Sequence, residues 1–271
     1  MRNVLITGDA GYIGQHLKKM LVYNVNDIVI HGFDIANSTG DVREEESFAY
    51  LKGIKFDAVV HLAALVRVGE SVEKSQEYYL TNVIGTSNVL NNVDFSNFIF
   101  ASTGAAVDHV SPYGYSKFAA EKIVRTISEG RGTDYTIFRF YNVLGEDGFP
   151  PTNPDGLFYN LKRAMTTKTI DIYGSDYDTK DGTCVREYVH VNDICRAIIR
   201  AIDRPANGIE NLAYGDTRTV KEVVETFMQV NALNCDVRYL PRRQGDLESS
   251  YLKEPSAYME RHYSYEEMLR N

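Results

Sequence analysis

The opening of the chain constrains its fold more than any other stretch. Residues 4–14 read Val4-Leu-Ile-Thr-Gly8-Asp-Ala-Gly11-Tyr-Ile-Gly14, a short apolar run leading into three glycines spaced three apart, and an amphipathic segment follows at 15–23. That order is strand, tight turn, helix. Glycines let the backbone turn sharply and come close to a pyrophosphate, while the free amides and dipole at the helix start attract its negative charge. A second apolar run, Ile28-Val-Ile-His-Gly-Phe33, ends at Asp34. A carboxylate at that distance accepts from both ribose hydroxyls of an adenosine and repels a 2′-phosphate, so the pattern predicts NAD rather than NADP.

The rest of the chain alternates in the same way. A short acidic helix is predicted from Glu44, a buried strand and its turn at 56–64, a long helix at 71–93 and a strand at 97–101; a helix at 112–129 and a strand at 135–140 follow. Repeated alternation of strand and helix predicts an α/β fold with a doubly wound parallel sheet, a Rossmann arrangement whose ligands lie beyond the carboxyl ends of the strands. The Pro/Gly-rich stretch 145–156 is the best boundary. It divides a dinucleotide-binding domain at 1–145, joined by later strands from the C-terminal half, from a smaller C-terminal lobe at 146–271.

Composition excludes some functions. A chain of 271 residues, 44% hydrophobic and 24% charged, can bury a sizeable core as a globular protein. Its net charge of -8 argues against a general attraction to nucleic acid or to anionic membranes. Anionic ligands must therefore be met by local arginines. No apolar run approaches a membrane span and no charged-then-apolar leader precedes the first strand, which points to the cytoplasm. Cys184, Cys195 and Cys235 are odd in number and lack metal-ligand spacing, so they read as reduced thiols and no metal is expected.

The segment Tyr113-Gly-Tyr-Ser-Lys117 supplies a chemistry. A phenol and an ammonium four positions apart share one helix face. A phenol with its ordinary pKa of about 10 is a poor base at neutral pH, and a neighbouring lysine together with the positive nicotinamide of an oxidised cofactor favours the phenolate.

Several strings together carry a family resemblance over almost the whole chain. They are Gly8-x-x-Gly11-x-x-Gly14, Val68-Gly-Glu-Ser-Val72, Glu77-Tyr-Tyr79 with Asn82-Val-x-Gly85-Thr, Ser111-Pro-Tyr-Gly-x-Ser-Lys117, the segment 176–191, and Pro241-Arg-Arg243-x-Gly-Asp246. The chain resembles the extended short-chain dehydrogenases/reductases and, among them, the UDP-glucose 4-epimerases. This implies a UDP-sugar substrate held between the two lobes, bound NAD, and inversion at the sugar's fourth carbon through a transient 4-ketone. The C-terminal lobe is then mainly the UDP-sugar site.

By the same resemblance, Tyr113 is the base, Lys117 holds the nicotinamide ribose and tunes the phenol, and Thr103 hydrogen-bonds the reacting oxygen. The cofactor site comprises Gly8, Gly11, Tyr12, Ile13 and Gly14 at the turn, Asp34, Asp41 and Val42 after the second strand, Leu62, Ala63 and Ala64 after the third, and Asn82 with Lys117. Asn142 and Leu157 approach the uridine diphosphate, Arg186 and Arg243 its phosphates, and Asp246 the uridine ribose. A small residue at Ser250 leaves room for an acetamido group, so N-acetylated UDP-hexoses are expected substrates. Relatives dimerise through two helices, here 71–93 and 112–129, so a homodimer is expected.

The chain also departs from the family pattern. Asp9 replaces Gly or Ala, and a carboxylate beside a pyrophosphate turn is expected to face solvent. Val66 stands where the family has lysine, with Arg67 next to it. Only nine residues separate Thr103 from Tyr113, and the stretch between Asp34 and Asp41 is trimmed, which predicts a more open site and questions the reach of Thr103. A 4,6-dehydratase would need an adjacent Asp-Glu pair where this chain reads Ser102-Thr-Gly-Ala-Ala106, and a decarboxylase matches the segment 176–191 less well. A cofactor-binding scaffold or redox sensor would be expected to have a broken Tyr/Lys pair, and here the pair is intact.

Overall fold

A computed structural model describes residues 1–270 apart from 109, 244 and 253. Six parallel strands form the main sheet, in the spatial order Gly208–Asn211, Asp134–Arg139, Asn97–Ala101, Ala58–His61, Arg2–Thr7, Ile28–Phe33. From its first strand the chain winds outward to Ile28–Phe33, then crosses back to pair Ala58–His61 on the other side of Arg2–Thr7. The order of winding therefore reverses between Thr7 and His61. In open sheets of this kind ligands bind in the crevice at that switch point.

Alternation along each strand divides the core between the two faces of the sheet. Val4 and Ile6 face a core shared with Leu17 and Leu21 of helix Tyr12–Asn24 and with Ile194 and Ile198 of helix Val191–Asp203. Leu5 faces the opposite core with Phe33, Val59, Phe98, Phe100, Val89 and Val124. Burial of these side chains, roughly 1.5–3 kcal/mol each, dominates the stability of both layers.

The chain leaves this sheet at Asn142–Leu144, which runs parallel to Val185–His190 in a second sheet. That strand also pairs antiparallel with Thr217–Thr219 and parallel with Ser249–Ser250. A third core, built around Leu161, Ile172, Val223, Phe227 and Met268, lies beneath these elements.

Two local predictions need correction. The segment after Glu44 is a 3-10 helix, Glu45–Leu51. The long helix at 71–93 is four pieces: Val68–Glu73, Ser75–Tyr79, a π-helical turn Leu80–Ile84, and Gly85–Asn92, with a break at Lys74 (φ -122°, ψ 41°). All four pieces pack along helix Pro112–Arg131. Their shared buried side preserves the helical periodicity across the break, which is why the sequence reads as one helix.

Helix Pro112–Arg131 has definite ends. The Ser111 hydroxyl accepts from the Gly114 amide, Pro112 opens the first turn, and Gly132 closes the helix in the left-handed region (φ 66°).

Candidate active site

The glycine turn lies at the switch point. Gly8, at φ +75°, follows the first strand, and a Cβ there would lie 2.6 Å from the Ala63 amide nitrogen, so the turn packs directly on the backbone of Leu62 and Ala63, with Ala64 next in the chain. Gly11 is the N-cap of helix Tyr12–Asn24 and supplies no side-chain cap, so the amides of Tyr12, Ile13 and Gly14 stand at an uncapped helix start without an acidic residue in its first turn. An anion is the natural partner for such a terminus. Ile13 also packs on the core, and the Tyr12 hydroxyl donates to the carbonyl of Gly145.

Asp34 closes the mouth of this turn. Its Oδ2 accepts from the Ala10 amide at 3.0 Å and its Oδ1 from Ala36 at 2.8 Å. Asp9 does not face solvent as expected. It is 3% exposed and ion-paired with Lys18 at 2.5 Å, and it leans against Gly32, where any Cβ would meet its Oδ2. The charge is thus neutralised and turned away from the turn's amides. Asp41 has its carboxylate engaged by Arg43, which pulls its pKa down, and Val42 packs on Gly85.

Asn82, on the π-helical turn, braces the loop beyond Ala64. Its Oδ1 accepts from the Leu65 amide at 2.8 Å, and its Nδ2 donates to the Leu65 carbonyl and to Ser116 Oγ, each at 2.9 Å.

Tyr113 and Lys117 lie on one buried face of helix Pro112–Arg131, 9% and 3% exposed. Thr103 stands beside the Tyr113 phenol despite the short connection between them. Burial pushes the phenol up to about 12, and the Thr103 bond acts in the opposite sense by favouring the phenolate. Burial pushes Lys117 down to about 7, with the Glu121 carboxylate opposing it. Its Nζ sits 4.1 Å from the centroid of the Phe100 ring. A base and a tunable ammonium thus stand beside each other in a low-dielectric setting.

The expected substrate residues gather around the second sheet. Arg186 and Ser250 are register partners in adjacent strands. Arg186 lies 3.8 Å from Asp246, whose amide donates to the Arg243 carbonyl. Arg243 donates to the Asp155 carbonyl at 2.8 Å and covers the Tyr173 ring at 3.6 Å. Leu157 begins helix Leu157–Thr167, and Asn142 donates from its amide to the Glu187 carbonyl at 3.0 Å. Arg67 reaches this group from the first half of the chain through Asp155, at 2.6 Å.

Residues 4–215 match the NAD dependent epimerase/dehydratase family. The chain belongs to that family.

Its relatives are alike over nearly their whole length. A UDP-glucose 4-epimerase of Halalkalibacterium halodurans is 30% identical, with 90% of this chain and 84% of that protein covered. The crystal structure of the Bifidobacterium longum UDP-glucose 4-epimerase in complex with NAD+ and UDP is 27% identical with a TM-score of 0.86, covering 98% of this chain and 96% of the other. The UDP-Glc/GlcNAc 4-epimerase of Campylobacter jejuni is 27% identical with a TM-score of 0.77, covering 100% and 97%. NAD is the family's cofactor, and the uncapped helix start, the close backbone approach at Gly8 and the Asp34 carboxylate fit a dinucleotide.

Sequence reasoning misses three members of the site's surroundings. Glu121 lies four residues beyond Lys117 and was detectable as the next residue of the same helix face. Arg139 and Asp155 give no such signal, because their partners are distant in sequence.

Proposed function

We propose that the chain interconverts UDP-glucose and UDP-galactose by inverting the sugar's fourth carbon through a 4-ketone, with NAD retained throughout. The observation that carries this reading is the buried phenol of Tyr113, one helical turn from the buried Lys117 and with Thr103 beside it, on helix Pro112–Arg131. Tyr113 takes the proton of the 4-hydroxyl, Lys117 stabilises the phenolate and holds the nicotinamide ribose, and Thr103 steadies the reacting oxygen. The bound dinucleotide supplies a hydride acceptor and donor at that carbon, so net redox is zero. The keto sugar swings about its diphosphate linkage before recapture on the other face, while Arg186 and Arg243 hold the phosphates and Asp246 the uridine ribose. Asn142 and Leu157 complete the uridine diphosphate site. The first 145 residues serve mainly the dinucleotide and the remainder mainly the UDP-sugar.

Ser250 is small and buried beside Arg186, which supports acceptance of N-acetylated UDP-hexoses. The free thiols of Cys184, Cys195 and Cys235 support a cytoplasmic location. Val72, Tyr79, Leu80 and Ile84 leave large apolar surfaces exposed on the segments packed against helix Pro112–Arg131, which supports a homodimer through these helices.

The test is turnover of UDP-galactose and of UDP-GalNAc by the purified chain, with NAD release on denaturation measured in parallel. Tyr113→Phe is expected to lower both turnovers by at least about 100-fold with NAD content unchanged. Full activity of that variant, or a 4-keto-6-deoxy product, would overturn the reading. Turnover of UDP-galactose without UDP-GalNAc would overturn the assignment of Ser250.

A further inference from the structure

The buried face that carries Tyr113 and Lys117 continues one turn further to Glu121, which is 1% exposed. Its two oxygens are fully engaged. Arg139, at the end of strand Asp134–Arg139, donates to both, Nε to Oε1 at 2.8 Å and a terminal nitrogen to Oε2 at 2.5 Å. The Ser102 hydroxyl donates to Oε1 at 2.5 Å. These partners are adjacent to the site in sequence. Ser102 precedes Thr103, the partner of Tyr113, and Arg139 lies three residues before Asn142, where the chain enters the second sheet.

One carboxylate thus joins three segments: the helix of the base, the strand end that presents Thr103, and the strand end that leads to the sugar-binding lobe. A buried ion pair adds little net stability compared with apolar packing of the same volume, but its bidentate geometry fixes direction. Facing Lys117 are Glu121 on its own helix, His61 from strand Ala58–His61, and the Phe100 ring from strand Asn97–Ala101, with Tyr113 one turn before it on the same buried face. His61 is hydrogen-bonded to Thr7 and Thr86 and is held neutral down to about pH 3. Glu121 is therefore the negative charge set against Lys117.

We propose that Glu121 is a positioning residue for the reaction, acting through its pair with Arg139 and its bond from Ser102 to hold Thr103 against Tyr113 and to keep the Lys117 ammonium charged. The proposal rests on the reading of Tyr113 and Lys117 given above. Without the carboxylate, the ammonium loses its proton at lower pH. A reaction that needs that ammonium then fails earlier on the alkaline side.

The test uses the full chain with NAD bound and UDP-galactose as substrate. In Glu121→Gln/Arg139→Gln, which removes the carboxylate together with the guanidinium it pairs, the alkaline limb of the kcat profile should move down by about half a pH unit or more while KM changes less than about twofold. In Glu121→Asp, which keeps the charge but shortens its reach, the limb should stay in place while kcat falls by about 10-fold. An unmoved limb in the double variant overturns the role of the charge. Should that variant fail to fold, wild-type kcat in Glu121→Asp overturns the positioning role. Tyr113→Phe measured alongside separates the two readings: if it is inactive while the Glu121 variants behave as wild type, this inference alone fails.

Discussion

His61 sits between two hydroxyls, 2.6 Å from Thr7 Oγ1 and 2.9 Å from Thr86 Oγ1, and it is fully buried beneath the switch point. Burial holds its pKa at about 3, against about 6.5 for a free imidazole, and His190 is held at about 4 for the same reason. The unfolded chain binds the extra protons between those values, so stability is intact above pH 6.5 and falls as pH drops toward 4. Thermal melts should show this decline, and His61→Gln, which still bonds both hydroxyls, should flatten it; an equally steep decline in the variant would show that His61 does not contribute. Single residues were legible in the sequence where spacing along one element decides which side chains share a face, as for Tyr113 with Lys117. They were not legible where a distant partner decides the outcome. Asp9 was expected in solvent because nothing local reveals that Lys18 and the missing side chain of Gly32 make an interior place for it.

At the scale of elements, the broken helix after Arg67 owes its use to the π-helical turn that carries Asn82, since such insertions cluster where a side chain must be re-aimed. Asn82 clamps both sides of the Leu65 peptide and reaches Ser116 on the neighbouring helix. Three hydrogen bonds, one buried and two partly buried, at about 1 kcal/mol each give Asn82→Ala an expected drop in Tm of about 5 °C or more. Because the clamp secures the loop that begins at Leu62, the variant should also lose NAD several-fold faster on gel filtration. Unchanged NAD retention would confine Asn82 to stability. The existence and order of strands and helices were legible here from period alone. The break at Lys74 was not, because Ser71, Tyr78, Asn82 and Thr86 keep a helical spacing on the buried side across it.

At the scale of the molecule, the exposed Leu80 and Ile84 lie on the segments packed against helix Pro112–Arg131. If two copies meet there, Leu80→Glu/Ile84→Glu should sediment as a monomer and the wild type as a dimer; a monomeric wild type would refute the interface. The doubly wound sheet was legible as alternating segments, and the glycine turn with Asp34 lies at its switch point. The strand order and the grouping of Arg67, Asp155 and Arg243 were not, since both depend on contacts between residues far apart in the chain. The outermost strand of the main sheet, Gly208–Asn211, has a bearing on biosynthesis. A nascent polypeptide must emerge past residue 211 before Asp134–Arg139 gains its outer neighbour, so while the segment between them is being made that border of the sheet stays open to any extended peptide nearby.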